Sequence, residues 1–272
     1  MNTSGLGAKM RVVPARNGWT WLVRGFALFR KNPPMWLFLV FTYVLAVVLL
    51  GKLRYLGPAT STVLLPAFSV SFMFVCAVLE RGGVPKPALL ISGFQSGPST
   101  LLVLGVLYLL SIVGVLALAS LADAGTLLLW VLSGRKPSEE SLLDGSVSLA
   151  MLVSALGAAP VLMAFWFAPV LAAWNRIGAA QSLFYSFFAV WRNWRAFLVY
   201  GAALFLAEAL FTMAVAILAV LLQEDIQTLE SFAVFVTLLA MPTLFASFYA
   251  SYRDIFPDNA VPAEPPSNAA GP

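Results

Sequence analysis

Glu208 is the one ionisable residue set well inside a long apolar run, so any intramembrane chemistry in this chain starts there. A charge at mid-bilayer costs about 2.5 to 3.5 kcal/mol on insertion scales, so the carboxyl is expected to face the interior of a bundle, to take up a proton or to find a partner. Two readings stay open for it: a proton or cation site, which with Pro-kinked helices would serve a secondary transporter or channel, and a protonated, hydrogen-bonded packing residue; with no second buried charge in view the packing reading is favoured. Four prolines sit within later apolar runs, namely Pro66, Pro160, Pro169 and Pro242. Each removes a helical donor and frees a carbonyl, which makes a candidate kink; a static bend is preferred over a carbonyl-lined cavity. Arg24, Arg30, Lys31, Arg192 and Arg195 flank aromatic stretches and are candidate contacts to lipid headgroups.

The usual chemical apparatus is otherwise missing. Histidine is absent, which removes the commonest general base and metal ligand together. Cys76 is the single cysteine, so no disulfide forms within the chain. No Gly-rich phosphate loop, Gly-x-Ser-x-Gly elbow or His-Glu-x-x-His pattern occurs. These absences point to a non-enzymatic protein with no cofactor and no metal.

The elements that position these residues are written in the composition. Of 272 residues, 61% are hydrophobic and 10% charged, with mean hydropathy +0.90, whereas about a quarter of residues are charged in soluble domains. Apolar runs predict helices near 35–51, 59–79, 99–122, 146–174, 196–222 and 231–252. Each is long enough to cross hydrocarbon, where a backbone is stable only if it satisfies its own hydrogen bonds. The first run begins near Met35, too late for a secretory signal, and is expected to stay in the membrane.

Six crossings put both ends of the chain on one side. Of the sixteen Lys and Arg residues, twelve fall on the side of the termini and four, Lys52, Arg54, Arg135 and Lys136, fall opposite. The positive-inside rule therefore predicts cytoplasmic termini in a bacterial inner membrane. The net charge of +4 is spread through the loops instead of forming one patch, so lipid and other membrane proteins are the expected partners and nucleic acid is not. Oligomeric state stays open. Trp36, Tyr55, Trp174, Trp194, Tyr200 and Tyr252 lie near span ends and read as interfacial anchors. The boundary acids Glu80 and Asp123 read as solvated.

A repeated unit accompanies the spans. Trp19, Leu22, Val23, Phe26 and Phe29 recur at helical spacing opposite Thr20, Arg24 and Lys31, which predicts an amphipathic helix on the membrane surface, ended by Asn32-Pro33-Pro34. Phe184, Phe187, Phe188 and Trp191 repeat the design opposite Gln181, Tyr185 and Arg192, and Phe94 to Pro98 repeats it weakly. The expected fold is all-α: a polytopic membrane protein of six transmembrane helices, arranged as three hairpins each preceded by an interfacial helix on the cytoplasmic face. Residues 1–17 read as a polar tail, 18–256 as the membrane domain and 257–272 as a disordered tail. Residues 124–134 stay apolar and read as a re-entrant or surface-lying segment on the outer side.

Three stretches, Phe26-Ala-Leu-Phe-Arg-Lys-Asn-Pro-Pro-Met-Trp36, Phe167-Ala-Pro-Val-Leu-Ala-Ala-Trp174 and Ser251-Tyr-Arg-Asp-Ile-Phe256, carry a resemblance. Over residues 19 to 256 the chain resembles six-helix bacterial inner-membrane proteins of no established activity. More distantly it is similar to the membrane domain attached to some glycerophosphodiester phosphodiesterases. The resemblance implies a membrane location and an all-helical fold. It implies no catalytic residues, since the phosphodiesterase catalytic domain has no counterpart here.

Overall fold

Prolines mark where the chain turns into helix. In the computed structural model Pro33, Pro58, Pro98 and Pro169 occupy the first or second position of their helices, where a missing N–H costs nothing because that donor has no helical acceptor. Asn32 completes one such start, its side chain accepting from Met35 N at 3.3 Å. The structure describes residues 10–53, 56–134, 136–222, 226–257, 259 and 262.

Among these, helices run in the order α1 (Asn17–Phe29), α2 (Pro33–Gly51), α3 (Gly57–Glu80), a 3₁₀ turn (Pro87–Ile91), α4 (Ser92–Gln95), α5 (Pro98–Asp123), α6 (Thr126–Ser133), α7 (Glu139–Leu143), α8 (Ser146–Phe165), α9 (Ala168–Asn175), α10 (Ala179–Arg192), α11 (Trp194–Leu222) and α12 (Ile226–Ile255). Among the described residues, five segments are long and apolar enough to cross a membrane: α2, α3, α5, the α8–α9 pair and most of α11. Four of them end within two residues of the expected spans, and the fifth, ending at Leu218, stops four residues short of the expected 222. Residues 124–134 hold the short helix α6, started by the Asp123 carboxylate, which accepts from Gly125 N at 3.0 Å and Leu127 N at 2.6 Å. That acid is 5% exposed and acts as a cap, not as the solvated boundary charge expected of it.

α3 is the hub. Two thirds of its apolar window is buried, while the windows of α2, α5, α8 and α11 remain largely open, as helices bathed in hydrocarbon would be. The core lies toward one end, where Trp36 stacks on Phe72, Phe72 on Phe245 at 4.1 Å, and Trp174 meets Phe74, Tyr249 and Tyr252 edge-on. Trp36, Tyr200 and Tyr252 are therefore core residues rather than the headgroup anchors expected; Trp174 is half-buried, Trp194 is exposed, and Tyr55 lies outside the described residues.

Three short helices dock on this end through small residues. A Cβ on Gly25 of α1 would sit 2.6 Å from Ser247 N and Thr243 O of α12, so only glycine permits that approach. Gly93 of α4 meets the backbone of Ala67 in α3 and donates its N–H to Ser71 Oγ at 3.0 Å. On α10, Ser186 Oγ donates to Met163 O at 2.9 Å and accepts from Phe167 N at 2.8 Å. That bond supports the break between α8 and α9 at Trp166-Phe167, just before Pro169, whereas Pro160, Pro66 and Pro242 lie inside continuous helices.

The face that α1 buries differs from the apolar stripe read in the sequence. Gly18, Trp21, Gly25 and Leu28 pack inward, while Trp19, Val23 and Phe26 are each about half exposed. Nor are residues 10–16 a free tail. Arg11 N donates to Ile255 O at 2.9 Å, Val13 N donates to Asn193 Oδ1 at 2.8 Å, and Asn193 Nδ2 donates to Arg11 O at 3.1 Å. The rest of the two expected tails, residues 1–9 and most of 257–272, lies outside the described residues.

Candidate functional site

Tyr249 and Arg253 are four residues apart on α12, so they share one face of that helix, and the face looks at the end of α3. The Tyr249 hydroxyl donates to Glu80 Oε2 at 2.6 Å, and Arg253 Nε lies 3.4 Å from the same oxygen. Lys31, just beyond α1, donates from Nζ to Leu79 O at 2.8 Å and so satisfies a carbonyl left open at the C-terminal end of α3. These residues, with Arg24, Ala27, Leu28 and Ala250, line a cavity of about 250 Å³.

Three cations and one carboxylate thus surround one opening. The carboxylate is taken up by Tyr249 and Arg253, and the guanidinium of Arg24 has no hydrogen-bond partner among the described residues. An uncompensated cluster of this kind attracts anions.

Of the five cations proposed for headgroups, Arg24 and Lys31 meet at this cavity. Arg30 lies over the Phe26 ring at 5.9 Å and Arg195 over the Trp194 ring at 5.4 Å, each an exposed cation beside an exposed aromatic. Arg192 is exposed at the end of α10, next to Trp191. Glu208 is on an exposed side of α11 and forms no hydrogen bond or ion pair among the described residues, so it does not face a bundle interior. Pro66 and Pro169 line a small apolar cavity of about 120 Å³ with Tyr108 and Trp166; neither Glu208 nor Pro242 reaches it.

Two acids escaped the reading of the sequence. Glu80 looked like a boundary charge beside Arg81, and only the 169-residue separation to Tyr249, closed by the fold, gives it a partner. Asp254, next to Arg253, is 5% exposed and accepts from Arg11 Nη2, Asn17 Nδ2 and Trp21 Nε1. The i, i+4 pair of Tyr249 and Arg253 was the available signal for the first.

A larger cavity of about 500 Å³ opens at the same end of the molecule, between the start of α5 and the end of α9. Gln95, Ser96, Thr100, Trp174 and Arg176 are on its wall. No group of three or more metal-binding side chains occurs among the described residues.

Over 251 residues the chain is 37% identical to a protein of Burkholderia thailandensis named as a probable inner membrane protein, an alignment covering 90% of this chain and 92% of that one. No family model and no solved structure matches the chain. With that identity sustained across nearly the whole length of both proteins, the chain belongs to the same family of membrane proteins.

Proposed function

We propose that the chain is a non-enzymatic, six-span integral protein of the bacterial inner membrane that organises anionic lipid at its cytoplasmic face. The observation that carries the reading is the makeup of α1 and α10. α1 docks by Gly18, Trp21, Gly25 and Leu28 and α10 by Ser182, Ser186, Ala189 and Val190, and the two turn outward Trp19, Phe26, Phe184, Phe188 and Trp191, with Arg24, Arg30, Lys31, Arg192 and Arg195 beside them. Exposed rings bordered by cations suit the headgroup layer, where a ring buries its body and a cation meets phosphate. The Burkholderia relative's name fits that location.

The finer architecture is part of the same proposal. α12, at 30 residues, is about 45 Å long and supplies the sixth crossing. α4 docks on α3, α10 on α8–α9 and α1 on α12, so each short helix sits on the second helix of the preceding pair and the third pair closes back on the first. Such a closed series supports three repeated hairpin units, and the twelve-to-four excess of cations supports a cytoplasmic basic face. The distant likeness to membrane domains appended to phosphodiesterases fits a lipid-facing role without lending a hydrolase's chemistry.

The test is lipid analysis of the purified protein. Its tightly held lipid is expected to be enriched in anionic species relative to the host membrane, and the enrichment is expected to fall when Arg30, Arg192 and Arg195 are changed to Gln. A lipid shell matching the bulk membrane in both proteins would remove the proposal.

A further inference from the structure

The cavity between α1, α3 and α12 has a more specific chemistry than a general attraction to anions. Resting on the reading of this face as a lipid contact, we infer that it is a phosphate site, which takes the phosphoryl group of one anionic phospholipid or the same group in soluble form.

Glu80 does not compete for this role, because it is already engaged. Its Oε2 accepts from Tyr249 and faces the Nε edge of Arg253. The carboxylate faces the guanidinium from its Nε edge at 3.4 Å, an ion pair with no hydrogen bond between them, and the Nη edge, which has no hydrogen-bond partner among the described residues, is left for a ligand. Arg24 brings a second guanidinium without a partner to the same opening, and Lys31 is fixed at its rim by the bond to Leu79 O. Two planar forks and an ammonium around one space match the tetrahedral oxygens of a phosphoryl group, which accepts paired N–H donors from each fork. Without an anion the cations repel one another, with Glu80 the only acid among the described residues of the wall.

Size and polarity narrow the ligand. About 250 Å³ falls below the roughly 300–1,000 Å³ of pockets that enclose whole drug-sized molecules, so the cavity accepts a headgroup fragment. Ala27, Leu28 and Ala250 form its apolar wall, along which a glycerol backbone and acyl chains leave toward the membrane.

The experiment is native mass spectrometry of the full chain in detergent, titrated separately with short-chain phosphatidylglycerol, phosphatidylcholine of the same chains and inorganic phosphate. A saturable phosphatidylglycerol adduct is expected, with apparent affinity at least tenfold lower in Arg24→Gln and unchanged in Lys52→Gln, an exposed cation beyond the end of α2 that is not on the cavity wall. Arg24 is exposed, so its variant keeps the fold; Arg253→Gln, which also releases Glu80, is read only if its melting temperature is retained. If inorganic phosphate competes with the adduct, a soluble phosphate compound is the ligand; if it does not, the ligand is a lipid headgroup. Equal affinity for phosphatidylcholine, or an Arg24→Gln protein that binds like wild type, overturns the site. Loss of the adduct in the Arg192→Gln/Arg195→Gln protein alone would overturn the cavity while leaving the wider surface reading in place. No effect from either set would remove both.

Discussion

Trp21 Nε1 donates to Asp254 Oδ2 at 2.9 Å, joining the first helix to the last described turn of α12 across 233 residues. The same carboxylate accepts from Asn17 Nδ2 at 2.7 Å and pairs with Arg11 at 2.9 Å. α1 is thereby locked to the end of the bundle by side chains as well as by the close approach at Gly25. A helix that only floated on the lipid surface would need neither.

Trp21→Phe keeps the ring packing against Phe197 and Tyr200 while removing the indole donor. A hydrogen bond to a charged group contributes about 1.5 to 3 kcal/mol, and the loss is expected near the lower end because Arg11 and Asn17 still hold the carboxylate. Thermal unfolding in detergent measures it. An unchanged midpoint would mean that this contact adds nothing.

Gly25→Ala tests the backbone approach of α1 to α12. The new methyl would meet Ser247 N and Thr243 O, both backbone atoms that cannot swing aside, so α1 must move. Overpacking of this kind costs about 1 to 3 kcal/mol. Gly51→Ala, where nothing lies within 4 Å of the added carbon, is the control and should not be destabilised.

Asp123→Ala removes two acceptor bonds at the start of α6 and leaves the Leu127 amide, which the carboxylate holds at 2.6 Å, without its partner. Loss of such a cap costs about 0.5 to 2 kcal/mol. Amide hydrogen exchange at Gly125 and Leu127 is expected to speed up while exchange in α3 stays slow. Uniform acceleration across the protein would contradict a local cap.

Glu208→Leu replaces an exposed polar group on an apolar helix with a lipid-compatible side chain. Insertion of α11 is expected to become more favourable, and the enrichment of anionic lipid should be unchanged. Loss of lipid enrichment or of cell fitness in this variant, with normal insertion, would revive a proton or cation role for the carboxyl.

Much of the architecture could be read from the chain because the signals are strong ones: uninterrupted apolar runs, prolines at helix starts and cations at span ends. Asn32-Pro33 and Gly97-Pro98 marked helix starts to within a residue or two. The packing faces could not be read in this way. In lipid the outer and inner surfaces of a helix are both apolar, so the stripe of Trp19, Val23 and Phe26, read as the face of a surface-lying helix and exposed in the fold, does not reveal which residues dock it. The residues that truly dock α1, Gly18 and Gly25, carry no hydropathy signal at all. The same ambiguity misassigned Trp36, Tyr200 and Tyr252, whose rings fit an interface and a core equally well by type. At the candidate site, Arg24 and Lys31 were visible as cations near an aromatic stretch, but Glu80 and Tyr249 needed the fold to meet.

The account depends most on the basic face lying against the anionic, cytoplasmic leaflet, with six crossings returning the chain to the side it started from. Paired reporter fusions, one ahead of Met10 and one beyond Phe256, measure this directly. Cytoplasmic signals from both ends are predicted. Signals from opposite sides of the membrane, or from the outside for both, would contradict it.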